Sequence, residues 1–285
     1  FSTGMQVNLG TISALIGRGE VVITDREDHA SIIDGCRLGF GEMKRFRHND
    51  MEHLEKVLQE CEGKGTLVVV DGVFSMGGDI APLPQIVTLC EQYGARLMVD
   101  DAHSLGVLAK GRGTAAHFSL TDKVDLTMGT FSKAFASLGG VVVGDAEVID
   151  YVRHTARALI FSASMPPSNV AAVAAALEVI QEEPERVDRV MQIADRMREG
   201  FRSLGFSFGN SQSPIIPIMI GDEMKTFMFW KTLFAAGIYV NPVVPPAVPP
   251  NLSLLRTSYM ATHTDAQMDR VLETFGRVGK ELGII

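Results

Sequence analysis

Cysteine and tryptophan are scarce in this chain, with three Cys and one Trp in 285 residues. Cys36, Cys61 and Cys90 lie far apart and form no CxxC or Cys/His ligand spacing, so neither a disulfide framework nor a zinc site is expected; they read as reduced, packed thiols, and no metal is expected. HExxH, GxxxxGK[ST] and GxGxxG are all missing, which removes the common metalloprotease, P-loop and dinucleotide fingerprints. No apolar run approaches the length of a membrane span. The opening Phe1-Ser2-Thr3-Gly4 has neither a basic n-region nor a cleavage site, and a cytoplasmic location is the expectation. Positive charge is outnumbered, 26 Lys and Arg against 34 Asp and Glu for a net charge of -8, which argues against general nucleic-acid affinity. The local basic stretch Lys44-Arg45-Phe46-Arg47 reads as a solvated strand end. An initiator Met is also missing and the chain opens inside what reads as a structural unit, so a preceding N-terminal segment is expected. There is no internal repeat and no low-complexity tract.

Apolar residues make up 46% of the chain, enough for one large domain or two smaller ones. Apolar runs alternate with amphipathic stretches: strands are predicted over 66–70, 96–99, 125–128 and 140–143, with a helix over 83–93. This is the rhythm of an α/β fold with a mainly parallel, helix-covered sheet. Such sheets bind ligands at the carboxyl ends of their strands. Asp71, Asp100, Thr130 and Lys133 all fall at or just beyond such ends, so residues distant in sequence are predicted to gather at one edge.

The pattern breaks at Met165-Pro166-Pro167, where a domain boundary is predicted: a large domain over 1–165 and a smaller C-terminal α+β domain over 166–285. The second part shows a small-residue helix over 168–180 and a long helix over 184–204 with Val187, Val190, Met191, Ala194, Met197 and Phe201 on one face. Strands follow over 215–220, 238–241 and 254–259, with a rigid extended loop over 242–250. Thr264 with Gln267 three residues on matches a capping box, and Met268, Val271, Leu272 and Phe275 supply the buried stripe of the last helix.

Thr130-Phe131-Ser132-Lys133-Ala134 carries the chemistry, because a lysine preceded by hydroxyl residues suits an amine that holds a phosphorylated aldehyde, pyridoxal 5'-phosphate, as a Schiff base. Alone, such a lysine is an ordinary surface charge. Val99-Asp100-Asp101-Ala102-His103 strengthens the case, since a buried carboxylate at a strand end would keep a pyridine nitrogen protonated. His103 and Ser75 could reach the ring oxygen, and His29 could lie over the ring face; singly they read as a packed histidine, a turn serine and a helix-start residue. Ser2-Thr3-Gly4-Met5 entering a helix, with Thr130 and Ser132, offers phosphate donors. A Ser75, His103, Asp100 hydrolase triad is disfavoured, because Gly72-Val73-Phe74-Ser75 is one residue too long for a nucleophile elbow and Lys133 would go unused.

With those residues in hand, the chain resembles the α-oxoamine synthases, fold-type I pyridoxal phosphate enzymes that join an amino acid to an acyl-CoA with loss of carbon dioxide. The likeness runs over essentially the whole chain. It rests on Asp28-His29-Ala30-Ser31-Ile32, Asp71-Gly72-Val73-Phe74-Ser75-Met76 with Gly78-Asp79, Val99-Asp100-Asp101-Ala102-His103, Gly111-Arg112-Gly113 and Gly129-Thr130-Phe131-Ser132-Lys133. The resemblance implies that Lys133 holds the cofactor and removes the Cα proton, that Asp100 pairs with the pyridinium nitrogen, and that His103 and Ser75 contact the ring oxygen. It further implies that His29 stacks on the ring and helps place the substrate carboxylate, that Gly4, Met5 and Thr130 hold the phosphate, and that Arg256 binds the amino-acid carboxylate. Met5 stands where the family often has an aromatic residue, so its contact is expected through the backbone. Ser162 and Ser164 match a segment that reaches the neighbouring subunit's phosphate, implying a homodimer with shared sites.

Within the family, Ala115-Ala116-His117-Phe118 and 240–248 are similar to the serine palmitoyltransferase branch, which uses L-serine and palmitoyl-CoA and is expected to make peripheral membrane contact through its lipid product. Asp101 departs from the Glu that many of those enzymes carry, so the 8-amino-7-oxononanoate synthase branch, with L-alanine and a pimeloyl thioester, is the alternative, followed by glycine-using relatives. A catalytically silent subunit on the same fold is a reading of a different class; such a chain is expected to lose its lysine, and this one keeps Lys133.

Overall fold

Six strands build the first sheet: β1 (Val21–Asp25), β2 (Glu42–Phe46), β3 (Thr66–Asp71), β4 (Arg96–Asp100), β5 (Leu126–Thr130) and β6 (Gly140–Gly144). The structure is a computed structural model that describes every residue from Phe1 to Ile285. The sheet order is β2-β1-β3-β4-β5-β6, parallel throughout except for β6, which runs antiparallel along one edge. Successive side chains of a strand face opposite ways, and here both faces are covered. Val21, Ile23, Val68, Val70, Leu97 and Val99 pack with the helices Met51–Gln59 and Leu83–Tyr93. Val22, Leu67, Val69 and Met98 pack with the helices Gly4–Leu15 and Ala30–Leu38. Double coverage explains why these strands read as near-continuous apolar runs. The basic stretch at 44–47 lies on and just beyond β2, the other edge, where Lys44 pairs with Glu60 at 2.7 Å; charge on an exposed edge discourages pairing with another chain.

The chain divides into two compact units, Phe1–Phe74 with Ala81–Pro184, and Ser75–Ile80 with Glu185–Ile285. The division after Pro184 falls later than the proline break at 165–167. That break instead opens the helix Pro167–Glu182, whose first turn tolerates proline because its N–H has no intrahelical partner, and the helix belongs to the first unit.

The second unit carries an antiparallel sheet of order β7-β9-β8, formed by β7 (Ile215–Gly221), β8 (Asn241–Val243) and β9 (Ser253–Ser258). The helices Glu185–Leu204, Glu223–Ala235 and Asp265–Glu281 supply its core, where Phe275 meets Phe201 and Phe229 with ring centroids 5.1 and 5.3 Å apart. The strand predicted over 238–241 falls instead at β8 and includes Pro242. An edge strand can hold a proline because one side of it needs no ladder donor. The capping box at Thr264 is present: its hydroxyl accepts from Gln267 N at 3.3 Å and its N–H donates to Gln267 Oε1 at 2.8 Å. No helix is long and apolar enough to cross a membrane.

Gly72 follows β3 directly and donates its N–H to the Asp100 carbonyl at 2.8 Å, tying the ends of β3 and β4 together. A Cβ there would stand 2.2 Å from Thr114 Oγ1 and 2.6 Å from Asp101 Oδ1. Gly72→Ala is therefore expected to destabilise the chain by about 1–3 kcal/mol through overpacking, read as a lowered urea midpoint with an unchanged slope.

Candidate active site

The parallel register places Asp71 opposite Asp100, and Asp100 opposite Met128 two residues before Thr130, so the carboxyl ends of β3, β4 and β5 form one edge. Asp28, in the turn after β1, joins them: its carboxylate accepts from the backbone N–H of Asp71 at 2.9 Å and of Asp25 at 2.7 Å. Asp71 in turn accepts the His29 backbone N–H at 2.9 Å. All three carboxylates are nearly or fully buried. Burial pushes Asp28 and Asp71 well above the usual carboxylate range; for Asp71 the repulsion of Asp100 and Asp28 adds to it, while the His29 N–H and the Lys133 charge pull the other way. Burial also raises Asp100, against the pull of its hydrogen bonds from Asn8 and Ala102 and the charge of Lys133. Three buried acids at one sheet edge are a costly arrangement unless a cation comes to meet them.

Asp100 Oδ1 accepts the Ala102 N–H at 2.9 Å, and Oδ2 accepts from Asn8 Nδ2 at 2.7 Å. The same Nδ2 donates to Ser31 Oγ at 2.8 Å, and Ser31 Oγ lies 2.7 Å from His29 Nδ1. His29 is exposed and caps the helix Ala30–Leu38, its Nδ1 accepting from Ser31 N at 3.2 Å. The helix-start role expected of His29 is thus present, and its ring is solvent-exposed. His103 is half-buried in the turn that follows β4. Asp101 points into a different network: it accepts from Ser104 Oγ and from the Thr114 N–H, which ties the Gly111-Arg112-Gly113 loop to the strand end.

Lys133 sits exposed in the loop after β5, a loop closed by Phe131 N to Gly139 O at 2.9 Å and Ser137 N to Phe131 O at 2.8 Å. Thr130 Oγ1 is 3.0 Å from Ser132 Oγ. Beside this pair stands the start of the helix Gly4–Leu15, capped by Thr3, whose hydroxyl accepts the Gln6 N–H at 3.2 Å. The approach is close enough that a Cβ at Gly4 would lie 2.5 Å from Thr130 Oγ1. Helix N–H groups and two hydroxyls therefore converge, the donor set an anionic phosphate requires. Met5, the next residue, is 41% exposed.

Ser162 comes to the same helix start, accepting from Gln6 Nε2 at 2.8 Å, whereas Ser164 is exposed. Ser75 and Arg256 belong to the second unit, where Arg256 Nε donates to the Ser75 carbonyl at 2.6 Å. Burial lowers the guanidinium's proton affinity from its usual value, and Arg256 lines a cavity of about 480 Å³ shared with Tyr239, Asn241, His263 and Gln267. No group of three or more His, Cys, Asp or Glu could hold a metal ion. The sequence reading did not single out Asn8 or Ser31. Asn8 is a polar residue at a fully buried position of a helix, and that mismatch was its only signal.

The model of the aminotransferase class I and II family matches residues 1–275. A serine palmitoyltransferase of Sphingobacterium spiritivorum is 51% identical over all of this chain and 72% of its own length. An 8-amino-7-oxononanoate synthase of Alkaliphilus oremlandii is 45% identical over all of this chain and 73% of its own. A serine palmitoyltransferase of S. paucimobilis, solved with bound PLP and myriocin, superposes with a TM-score of 0.97 at 41% identity, covering all of this chain and 73% of that one.

Proposed function

Because the chain belongs to the aminotransferase class I and II family, we propose that it condenses L-serine with palmitoyl-CoA, with loss of carbon dioxide, to 3-ketodihydrosphingosine, the first step of sphingolipid synthesis. The observation that carries the reading is the buried Asp100 at the end of β4, with Lys133 just beyond the neighbouring β5, in a chain half identical along its whole length to a serine palmitoyltransferase. The residues fit pyridoxal phosphate: buried carboxylates suit a pyridinium, a helix start with two hydroxyls suits a phosphate, and a lysine three residues beyond Thr130, near enough to act electrostatically on Asp71 and Asp100, suits an aldehyde. When bound, the cofactor supplies that aldehyde and a ring that withdraws electron density from the amino acid's Cα.

This chain's residues do the rest. Lys133 provides the amine for covalent attachment and, once released, takes the Cα proton of serine. Ionised Asp100 holds a proton on the ring nitrogen, while His103 and Ser75 are assigned to the ring oxygen. His29 would cover the ring face when the cofactor is bound, and His29 and Arg256 are each assigned to the substrate carboxylate. Gly4 and Met5 through their backbone, and Thr130 and Ser132 through their hydroxyls, hold the phosphate. The deprotonated Cα then attacks the thioester carbonyl and CoA leaves as the thiolate, which takes up a proton from water; departure of the carboxylate as carbon dioxide returns an electron pair to Cα, Lys133 gives back the proton it took, and the aminoketone is released. We assign Ser162 and Ser164 to a shared phosphate site in a homodimer, and place the protein in the cytoplasm with peripheral membrane contact at most.

Parallel assays of CoA thiol release, with L-serine plus palmitoyl-CoA against L-alanine plus pimeloyl-CoA, test the assignment. Serine with the long chain is expected to be faster by at least tenfold. The reverse preference would move the chain to the synthase branch that the 45% identity keeps in view.

A further inference from the structure

We propose that Asn8 and Ser31 are positioning residues, a polarised relay that ties the carboxylate of Asp100 to the ring of His29 and fixes which nitrogen of that ring carries its hydrogen. The inference rests on the cofactor reading in one respect: Asp100 is ionised when it faces a pyridinium. An ionised carboxylate only accepts, so the amide of Asn8 must turn its NH2 toward Asp100 Oδ2, 2.7 Å away. The opposite orientation would set two acceptor oxygens against each other at that distance. Both hydrogens of the NH2 are then committed, one to Asp100 and one to Ser31 Oγ at 2.8 Å.

Ser31 Oγ, having accepted from Asn8, sends its own hydrogen to the remaining neighbour, His29 Nδ1 at 2.7 Å. The Ser31 backbone N–H points to the same nitrogen at 3.2 Å. Two donors converge on Nδ1, so in the neutral ring Nδ1 is bare and Nε2 carries the hydrogen. His29 is exposed, and its Nε2–H becomes a donor for an anionic oxygen such as a substrate carboxylate. Asn8 Oδ1 has no partner, is fully enclosed, and belongs to a residue with no exposed surface. A buried orphan acceptor costs about 1–3 kcal/mol, so a purely structural role is better served by an apolar side chain. What the asparagine adds over one is its two donated hydrogen bonds.

The test is 15N NMR of the full chain labelled at histidine, before and after loading with pyridoxal phosphate, with His29→Gln used to assign the ring signals. Wild type is expected to show the Nε2–H form in both states. Ser31→Ala, which keeps the backbone N–H on Nδ1 but loses the hydroxyl donor, is expected to admit a detectable share of the Nδ1–H form beside the Nε2–H form and to raise the KM for L-serine about tenfold with kcat changed less than threefold, and Ser31→Thr to restore both. Asn8→Ser, chosen as a smaller polar variant in case Asn8→Ala fails to fold, is expected to lower the protonated fraction of 15N-labelled cofactor ring. An unchanged tautomer in Ser31→Ala, or a Thr variant no better than Ala, overturns the relay. Failure of wild type to bind cofactor would overturn the cofactor reading and with it the ionised Asp100 from which the relay starts, whereas cofactor binding with an unchanged tautomer in Ser31→Ala would overturn the relay alone.

Discussion

Lys133→Ala is expected to abolish covalent attachment of pyridoxal phosphate and to reduce CoA release from L-serine and palmitoyl-CoA by at least about a thousandfold. Two functions leave with one side chain: the amine that holds the aldehyde, and the base that takes the Cα proton, which alone contributes typically about 10²- to 10⁴-fold. The checks are the visible absorbance band of the loaded protein and the mass of the chain after borohydride reduction, which should rise by one cofactor in wild type and not in the variant. Fold damage is not the expected cause of loss, because Lys133 is exposed in a loop closed by backbone hydrogen bonds. Exposed substitutions usually move stability by no more than about 0.5 kcal/mol. The Lys133 charge also restrains the upward drift of Asp71 and Asp100, so its removal should push both acids further toward the neutral form. Retained turnover in Lys133→Ala would overturn the reading of the site.

Why the sequence yielded Asp100, Thr130 and Lys133 but not Asn8 or Ser31 follows from how each is placed. A parallel sheet sends the ends of its strands to one edge, so an apolar run ending in a polar residue announces both the strand and the edge; β3 and β4 each close in this way, on Asp71 and Asp100. Asn8 reaches Asp100 across 92 residues of chain through helix packing on one face of the sheet, and no local pattern encodes such a contact. The stretch 71–79 carried one motif in sequence yet is divided between the two compact units after Phe74. Local turn chemistry gives no sign of that division. Proline misdirected the reading twice for the same reason: at 166–167 it opens a helix and at 242 it lies in an edge strand, both places where a missing N–H costs nothing.

Asp100→Asn is the second large effect, and it is expected to separate stability from function. An opposite charge within about 4–6 Å shifts a pKa by about 1–3 units, so losing the carboxylate should lower the proton affinity of the bound ring nitrogen by that amount. The protonated fraction, and with it turnover, is expected to fall about tenfold to a thousandfold, with the 15N shift of the ring moving to its unprotonated position. Stability runs the other way. In the cofactor-free chain burial raises Asp100 above its ordinary 3.8, so from there up to its folded pKa the folded state holds more protons than the unfolded one. Its contribution therefore declines as pH rises through that window, and below the window both states are protonated and no loss remains. Asparagine does not titrate, so the cofactor-free variant is expected to melt above wild type at neutral pH and level with it in acid. Its hydrogen bonds can be remade: Asn8 turns its amide to offer the orphaned Oδ1, and the Ser31 hydroxyl follows that oxygen and leaves His29 Nδ1. A variant less stable than wild type at neutral pH would mean that Asp100 is held ionised by groups other than a bound ring, and the case for a pyridinium partner would fail.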